Sequence, residues 1–119
     1  MKKEAYSCDI VFKDLESNVR SLFSTIHILN CFDNKKAYLD VLKNPNIIVL
    51  FEDETLLETA EFLFKNNLNI TQTSKSTYMH RNTLIYRLDK IKKLTGLNLK
   101  NFEDAIIFQN LICVKKLIS

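Results

Sequence analysis

Glycine and proline are almost missing: one of each in 119 residues. All-β folds need turn residues at intervals of about 8–12 positions, so such a chain is built from helices joined by short polar loops. No run approaches the roughly 18 apolar residues needed to span a membrane. After Met1, Lys2 and Lys3, Glu4 and Asp9 interrupt any signal-peptide apolar stretch. These absences predict a cytoplasmic protein with no membrane partner. Cysteine is sparse and scattered. Cys8, Cys31 and Cys113 form no CxxC pair and no Cys/His ligand cluster, which reads as free thiols in a reducing compartment. The two histidines, His27 and His80, lie far apart. There is no nucleophile motif, Gly-rich phosphate loop or metal spacing, so the expectation is a non-enzyme with no metal or cofactor.

What is present is ordinary in amount and unusual in arrangement. Hydrophobic residues make up 46% and charged residues 26%, suited to one small folded unit rather than a disordered chain. The net charge of +3 hides a sharp division. Between 51 and 70, five acids (Glu52, Asp53, Glu54, Glu58, Glu61) face one base, Lys65. Between 71 and 100, seven bases (Lys75, Arg81, Arg87, Lys90, Lys92, Lys93, Lys100) face one acid, Asp89. A concentrated positive patch attracts polyanions.

Apolar spacing supplies the helices. Residues 1–7 read as an appended end. Val11, Leu15, Val19, Leu22, Ile26 and Leu29 fall on one helical stripe, predicting a helix over 9–30 with Asp9 as its cap. A break follows at 31–34, with Asp33 as candidate cap for a short helix carrying Ala37, Tyr38, Val41 and Leu42. That helix stops by Asn44, because a residue before proline avoids the helical region. Residues 46–51 fit a short strand, a buried connector or a helical turn, and the lack of a partner strand favours the last two. Leu56, Leu57, Ala60, Leu63 and Phe64 mark the next helix, preceded by acids that suit a helix start. Asn69 is a candidate cap for a short helix over 70–77. A turn at 78–80 leads into a helix over 81–94 with Leu84, Leu88, Ile91 and Thr95 inward, closed by Gly96 where a left-handed residue is required. A final helix over 102–118 is apolar over much of its girth, which predicts burial on more than one side and hints at a subunit interface.

A short helix, a tight turn and a longer basic helix make the helix-turn-helix arrangement, whose second helix enters the major groove. The leading residues of that helix suit the task. Arg81 can fork to guanine O6 and N7, and Asn82 can bind adenine or a phosphate. Thr83 can reach either, while His80 can cap the helix or touch the groove wall. At about 100° per residue, Asn82, Tyr86, Lys90 and Lys93 lie opposite the leucines, with Arg81, Thr83 and Arg87 on the flanks.

The run His80-Arg81-Asn82-Thr83-Leu84-Ile85-Tyr86-Arg87-Leu88, followed by Ile91 and Leu94-Thr95-Gly96-Leu97, resembles the C-terminal helix-turn-helix domain of PucR/CdaR-type bacterial transcription regulators. The turn and second helix are also similar to Fis-like DNA-binding domains. The resemblance covers about 54–118. It implies DNA-approaching roles for His80, Arg81 and Thr83, and a sensory region upstream. The sequence departs from the family at Ile85, where a basic residue is usual, and at Thr73, Ser74 and Thr77, which replace Ala and Leu and predict looser packing. Tyr78 stands where many helix-turn-helix proteins have Gly.

The expected fold is all-α: a helical N-terminal segment over 1–53, read as the tail of an upstream sensory or dimerisation region, then a helix-turn-helix DNA-binding domain of about four helices over 54–119. A short stand-alone member and a C-terminal fragment of a longer regulator both fit. The expected function is sequence-specific binding of duplex DNA to regulate transcription, as a homodimer, with any small-molecule effector sensed outside this chain. The expected DNA-binding residues are His80, Arg81, Asn82, Thr83, Tyr86 and Arg87, with Lys75, Lys90 and Lys93 neutralising phosphates. The alternative is a helical protein-interaction module, or a regulator fragment that does not bind DNA by itself.

Overall fold

The computed structural model describes residues 8–118, so the expectation for 1–7 lies outside the described residues. The described chain is all-α, with no strand: α1 (Cys8–Leu22), α2 (Thr25–Ile28), α3 (Lys35–Leu42), α4 (Pro45–Glu52), α5 (Glu54–Lys65), α6 (Ile70–Thr77), α7 (Arg81–Thr95) and α8 (Phe102–Ile118). Four of these, α5 to α8, fall in 54–119. Helix α7 is the hub. Its inner stripe, Leu84, Leu88, Ile91 and Thr95, is buried, and it packs against α5, α4, α1 and α6. Burying each of its aliphatic side chains contributes about 1.5–3 kcal/mol. One apolar cluster runs from Leu15, Val19 and Phe23 through Ile47 and Leu56 to Leu84, Phe108 and Val114.

The single helix expected over 9–30 is interrupted. Ser24 takes an extended conformation (ψ 152°) ahead of the four-residue α2, without a side-chain cap bond. The carbonyls released at the break find distant partners. The Tyr38 hydroxyl sits 2.7 Å from the Leu22 carbonyl and 2.9 Å from that of His27, and the Asn110 amide donates to the Phe23 carbonyl at 2.9 Å. A buried carbonyl must be paired, and these long-range donors make the break affordable. The expected Asp9 cap lies outside the described side chains. Asn34, not Asp33, precedes α3, without a side-chain cap bond.

Residues 46–51 form neither strand nor connector. They belong to the two-turn α4, with Pro45 in its first turn and the Asn44 side chain accepting from the Asn46 amide at 2.9 Å. Proline has no N–H to lose at a first helical position, so the residue that ends α3 also starts α4. Ile47 and Leu50 are buried; Ile48 and Val49 face outward. Asp53 caps α5 through the Thr55 amide at 3.1 Å. Cys31 is a buried free thiol and Cys113 an exposed one.

The end of α7 is fixed by a polar cluster from three elements. Gly96 is left-handed (φ 81°) and caps α7, its amide bonding the Lys92 carbonyl at 2.7 Å. Arg20 of α1 donates to the Gly96 carbonyl (2.9 Å), to Asp104 of α8 (2.8 Å) and to Glu16 (2.9 Å). The Asn98 amide closes on the other Asp104 oxygen at 2.8 Å. Burial alone pushes the Asp104 carboxyl upward, but the Arg20 and Asn98 hydrogen bonds and the charges of Arg20 and Lys92 outweigh it, so its pKa lies below the usual value.

Candidate nucleic-acid interface

Helices α6 and α7 are set by local chemistry. The Asn69 side chain accepts from the Gln72 amide at 2.8 Å and starts α6 where expected. Thr73, Ser74 and Thr77, which replace the family's Ala and Leu, each bond a backbone carbonyl. Thr73 is fully buried, its hydroxyl donating to the Asn69 carbonyl at 2.7 Å. Thr77 donates to the Thr73 carbonyl at 2.7 Å, and Ser74 reaches across the turn to the Met79 carbonyl at 2.6 Å. Tyr78 ends α6 in the left-handed region (φ 57°, ψ 22°). The chain then turns through an extended His80, whose Nδ1 accepts from the Asn82 amide at 3.1 Å. His80 is thus the N-cap of α7, the first of its two expected roles.

The outer surface of α7 follows from its inner one. Leu84, Leu88, Ile91 and Thr95 are held by the core, so Asn82, Tyr86 and Lys93, half a turn away, are exposed. Tyr86 is 67% exposed. His80, Arg81, Asn82 and Thr83 are all exposed and consecutive at the leading end. Lys75 is exposed on α6, the one expected residue carried by a different helix.

Three of the expected residues have intramolecular partners that sequence reasoning did not foresee. Arg81 donates to the Thr71 hydroxyl at 3.2 Å, across the α6–α7 pair. Arg87 is half-buried, with a guanidinium nitrogen 3.9 Å from the Met79 sulfur. Lys90 lies 3.5 Å from Asp53, the α5 cap. The Asp53 carboxylate is held below its ordinary pKa chiefly by the Thr55 hydroxyl, with Lys90 contributing. Lys90 therefore ties α7 to α5 and its charge is partly offset. Lys93 is the more open cation. The missed partners are 10, 8 and 37 positions away in sequence, beyond any local pattern.

Among the described residues no group of His, Cys, Asp or Glu side chains could hold a metal ion, and no helix is long and apolar enough to cross a membrane. The exposed polar end of α7 offers hydrogen-bond donors and acceptors on a convex rod about 10–12 Å across, a shape that fits a groove rather than encloses a small molecule.

The model of the PucR C-terminal helix-turn-helix domain matches residues 56–109, which take in α6, the turn and all of α7. Over 86 residues the chain is 31% identical to the Bacillus subtilis protein YxkF, covering 71% of this chain and 29% of that protein. It is 38% identical over 68 residues to the Purine catabolism regulatory protein of Bacillus subtilis, covering 57% of this chain and 13% of the relative. It is 46% identical over 52 residues to the Carbohydrate diacid regulator of Escherichia coli, covering 44% and 14%. The matched stretch thus spans less than a third of each of these relatives. No solved structure matches the chain.

Proposed function

We propose that residues 56–109, which match the PucR C-terminal helix-turn-helix domain, bind duplex DNA sequence-specifically, as a homodimer, to regulate transcription. The observation that carries the reading is the division of α7: a buried stripe at Leu84, Leu88, Ile91 and Thr95, and four consecutive exposed polar residues, His80 to Thr83, at its leading end. In this reading α7 lies in the major groove. Arg81 leaves Thr71 to fork onto a guanine edge, since an exposed neutral-acceptor bond costs little to exchange. Asn82 and Thr83 contact an adjacent base or phosphate. His80 keeps its cap through Nδ1 and presents the rest of its ring to the groove wall. Tyr86, Arg87, Lys75 and Lys93 contact the backbone, and Lys90 adds charge once it parts from Asp53.

The reading gives residues 8–53 a supporting role. Helix α1 fixes the end of α7 through Arg20, and α4 supports its inner face. We read this segment as the tail of an upstream sensory or dimerisation region, by which an effector sensed elsewhere would bias α7. Purine catabolism and carbohydrate diacids belong to the names of relatives of which this chain matches only a small part, so the reading assigns neither to this chain.

The test is selection from random duplex DNA with the purified chain. The expected result is enrichment of a short motif, or of an inverted repeat with half-sites about one helical turn apart. No enrichment, together with no binding at low salt, would reject the reading.

A further inference from the structure

We infer that the open face between α5 and α8 is the docking site for a second copy of this chain. The inference rests on the homodimer in the reading above and names its surface. A groove of about 980 Å³ separates the two helices, lined by apolar side chains that include Leu57, Phe64, Leu68, Ala105 and Ile112. At its edge Phe102 is 69% exposed. A contiguous apolar surface of this kind marks an interaction site.

Charge decides what occupies it. The two walls run antiparallel. Phe51, just ahead of α5, lies under the Lys115 ammonium near the end of α8 at 5.5 Å, and Phe64 near the end of α5 meets Phe108 at 6.1 Å. The α5 wall carries Glu54, Glu58 and Glu61 along its start and middle and Lys65 at its end, while the α8 wall carries Lys116 at its end. One end of the face therefore carries Glu54 with Lys116, and the other carries Lys65.

A two-fold interface must be self-complementary, and this face is so for an axis along the groove. An axis across the helices instead lays α5 on α5, antiparallel, and sets Glu58 and Glu61 of one copy against the same acids of the other, a like-charge contact that disfavours it. An axis along the groove lays α5 on α8 and sets Lys116 against the partner's Glu54. Duplex DNA is a poor occupant, because Glu54, Glu58 and Glu61 share one face of α5 and repel phosphates. None of the nine residues assigned to DNA lines the groove, so a dimer built here leaves α7 open on both copies.

The test measures the oligomeric state of the whole chain by sedimentation equilibrium. The wild type is expected to be a concentration-dependent dimer in the range of about 1–100 μM. Ile106→Glu, which puts a charge into the groove, should weaken it roughly a hundredfold. Lys116→Glu, at an exposed position where the fold is not at stake, should weaken it roughly tenfold. Adding Glu54→Lys to Lys116→Glu should restore the dimer, because α5 lies on the partner's α8. A monomeric wild type, or a dimer indifferent to both Ile106→Glu and Lys116→Glu, overturns the inference. Binding of single half-site duplexes, measured in parallel, keeps the two proposals apart. A monomer that binds the half-site leaves the DNA reading standing, and a dimer that binds no DNA leaves the surface standing without it.

Discussion

Gly96→Ala should destabilise the protein by about 1.5–2.5 kcal/mol, from two separable sources. The first is conformational: φ at 96 is +81°, and a β-carbon in the left-handed region costs about 1 kcal/mol or somewhat more. The second is steric. An added Cβ would lie 2.5 Å from Glu16 Cγ and 2.7 Å from its Cδ. The Glu16 side chain can swing away, but only by leaving Arg20, to which it is bound at 2.9 Å. Both side chains are more than a third exposed, so the ion pair contributes only about 0.5 kcal/mol. Disturbing the Arg20 bond to the Gly96 carbonyl adds about as much. At about 4 °C per kcal/mol for a chain of this size, Tm should fall by about 6–10 °C. Urea unfolding followed by far-UV circular dichroism reads the change, and a double-mutant cycle with Glu16→Ala separates its parts. In the Glu16→Ala background, Gly96→Ala should cost only the conformational portion, about 1 kcal/mol. Equal costs in the two backgrounds would refute the steric half of the reasoning, and a loss below about 0.5 kcal/mol would refute both.

Asp104 has a lowered folded pKa, so the stability it supplies is present above its unfolded pKa near 4 and is lost as pH falls through the folded value. Asp104→Asn should cost about 1–3 kcal/mol at pH 7 and flatten the acid limb of the stability curve below about pH 4. An unchanged acid limb in urea titrations would remove Asp104 as its source. Tyr78→Gly relieves a left-handed, 95% exposed aromatic residue and should stabilise by about 1 kcal/mol; a lowered Tm would contradict this. His80→Ala should cost about 0.5–1 kcal/mol as the cap on the Asn82 amide is lost, and His80→Asp should recover it.

The helix-turn-helix was readable almost to the residue because its punctuation is local. Asn69 and His80 cap from within three positions, and the lone glycine closes α7. The buried stripe of α7 followed from a single period. The break at Ser24 was not readable, because the donors that permit it, Tyr38 and Asn110, come from distant helices. The start of α4 was written in Asn44 and Pro45, a cap followed by a first-turn proline; reading the proline only as a terminator concealed it. The Arg20–Asp104 link spans 84 positions and carries no sequence period at all. The same limit applies at the candidate interface. Periodicity showed which α7 residues point outward, but not that Lys90 is met by Asp53 or Arg81 by Thr71.

In the proposed function the leading end of α7 reads DNA while its later lysines hold it. The most direct measurement is titration of an enriched duplex and of unrelated duplexes, at two salt concentrations, with the wild type, Arg81→Ala and Lys93→Ala. Arg81→Ala should lose about 1–3 kcal/mol on the enriched duplex and much less on the others. Lys93→Ala should weaken all duplexes alike and reduce the salt slope by about 1. Identical behaviour of the two variants, or a wild type that does not distinguish the duplexes, would contradict it.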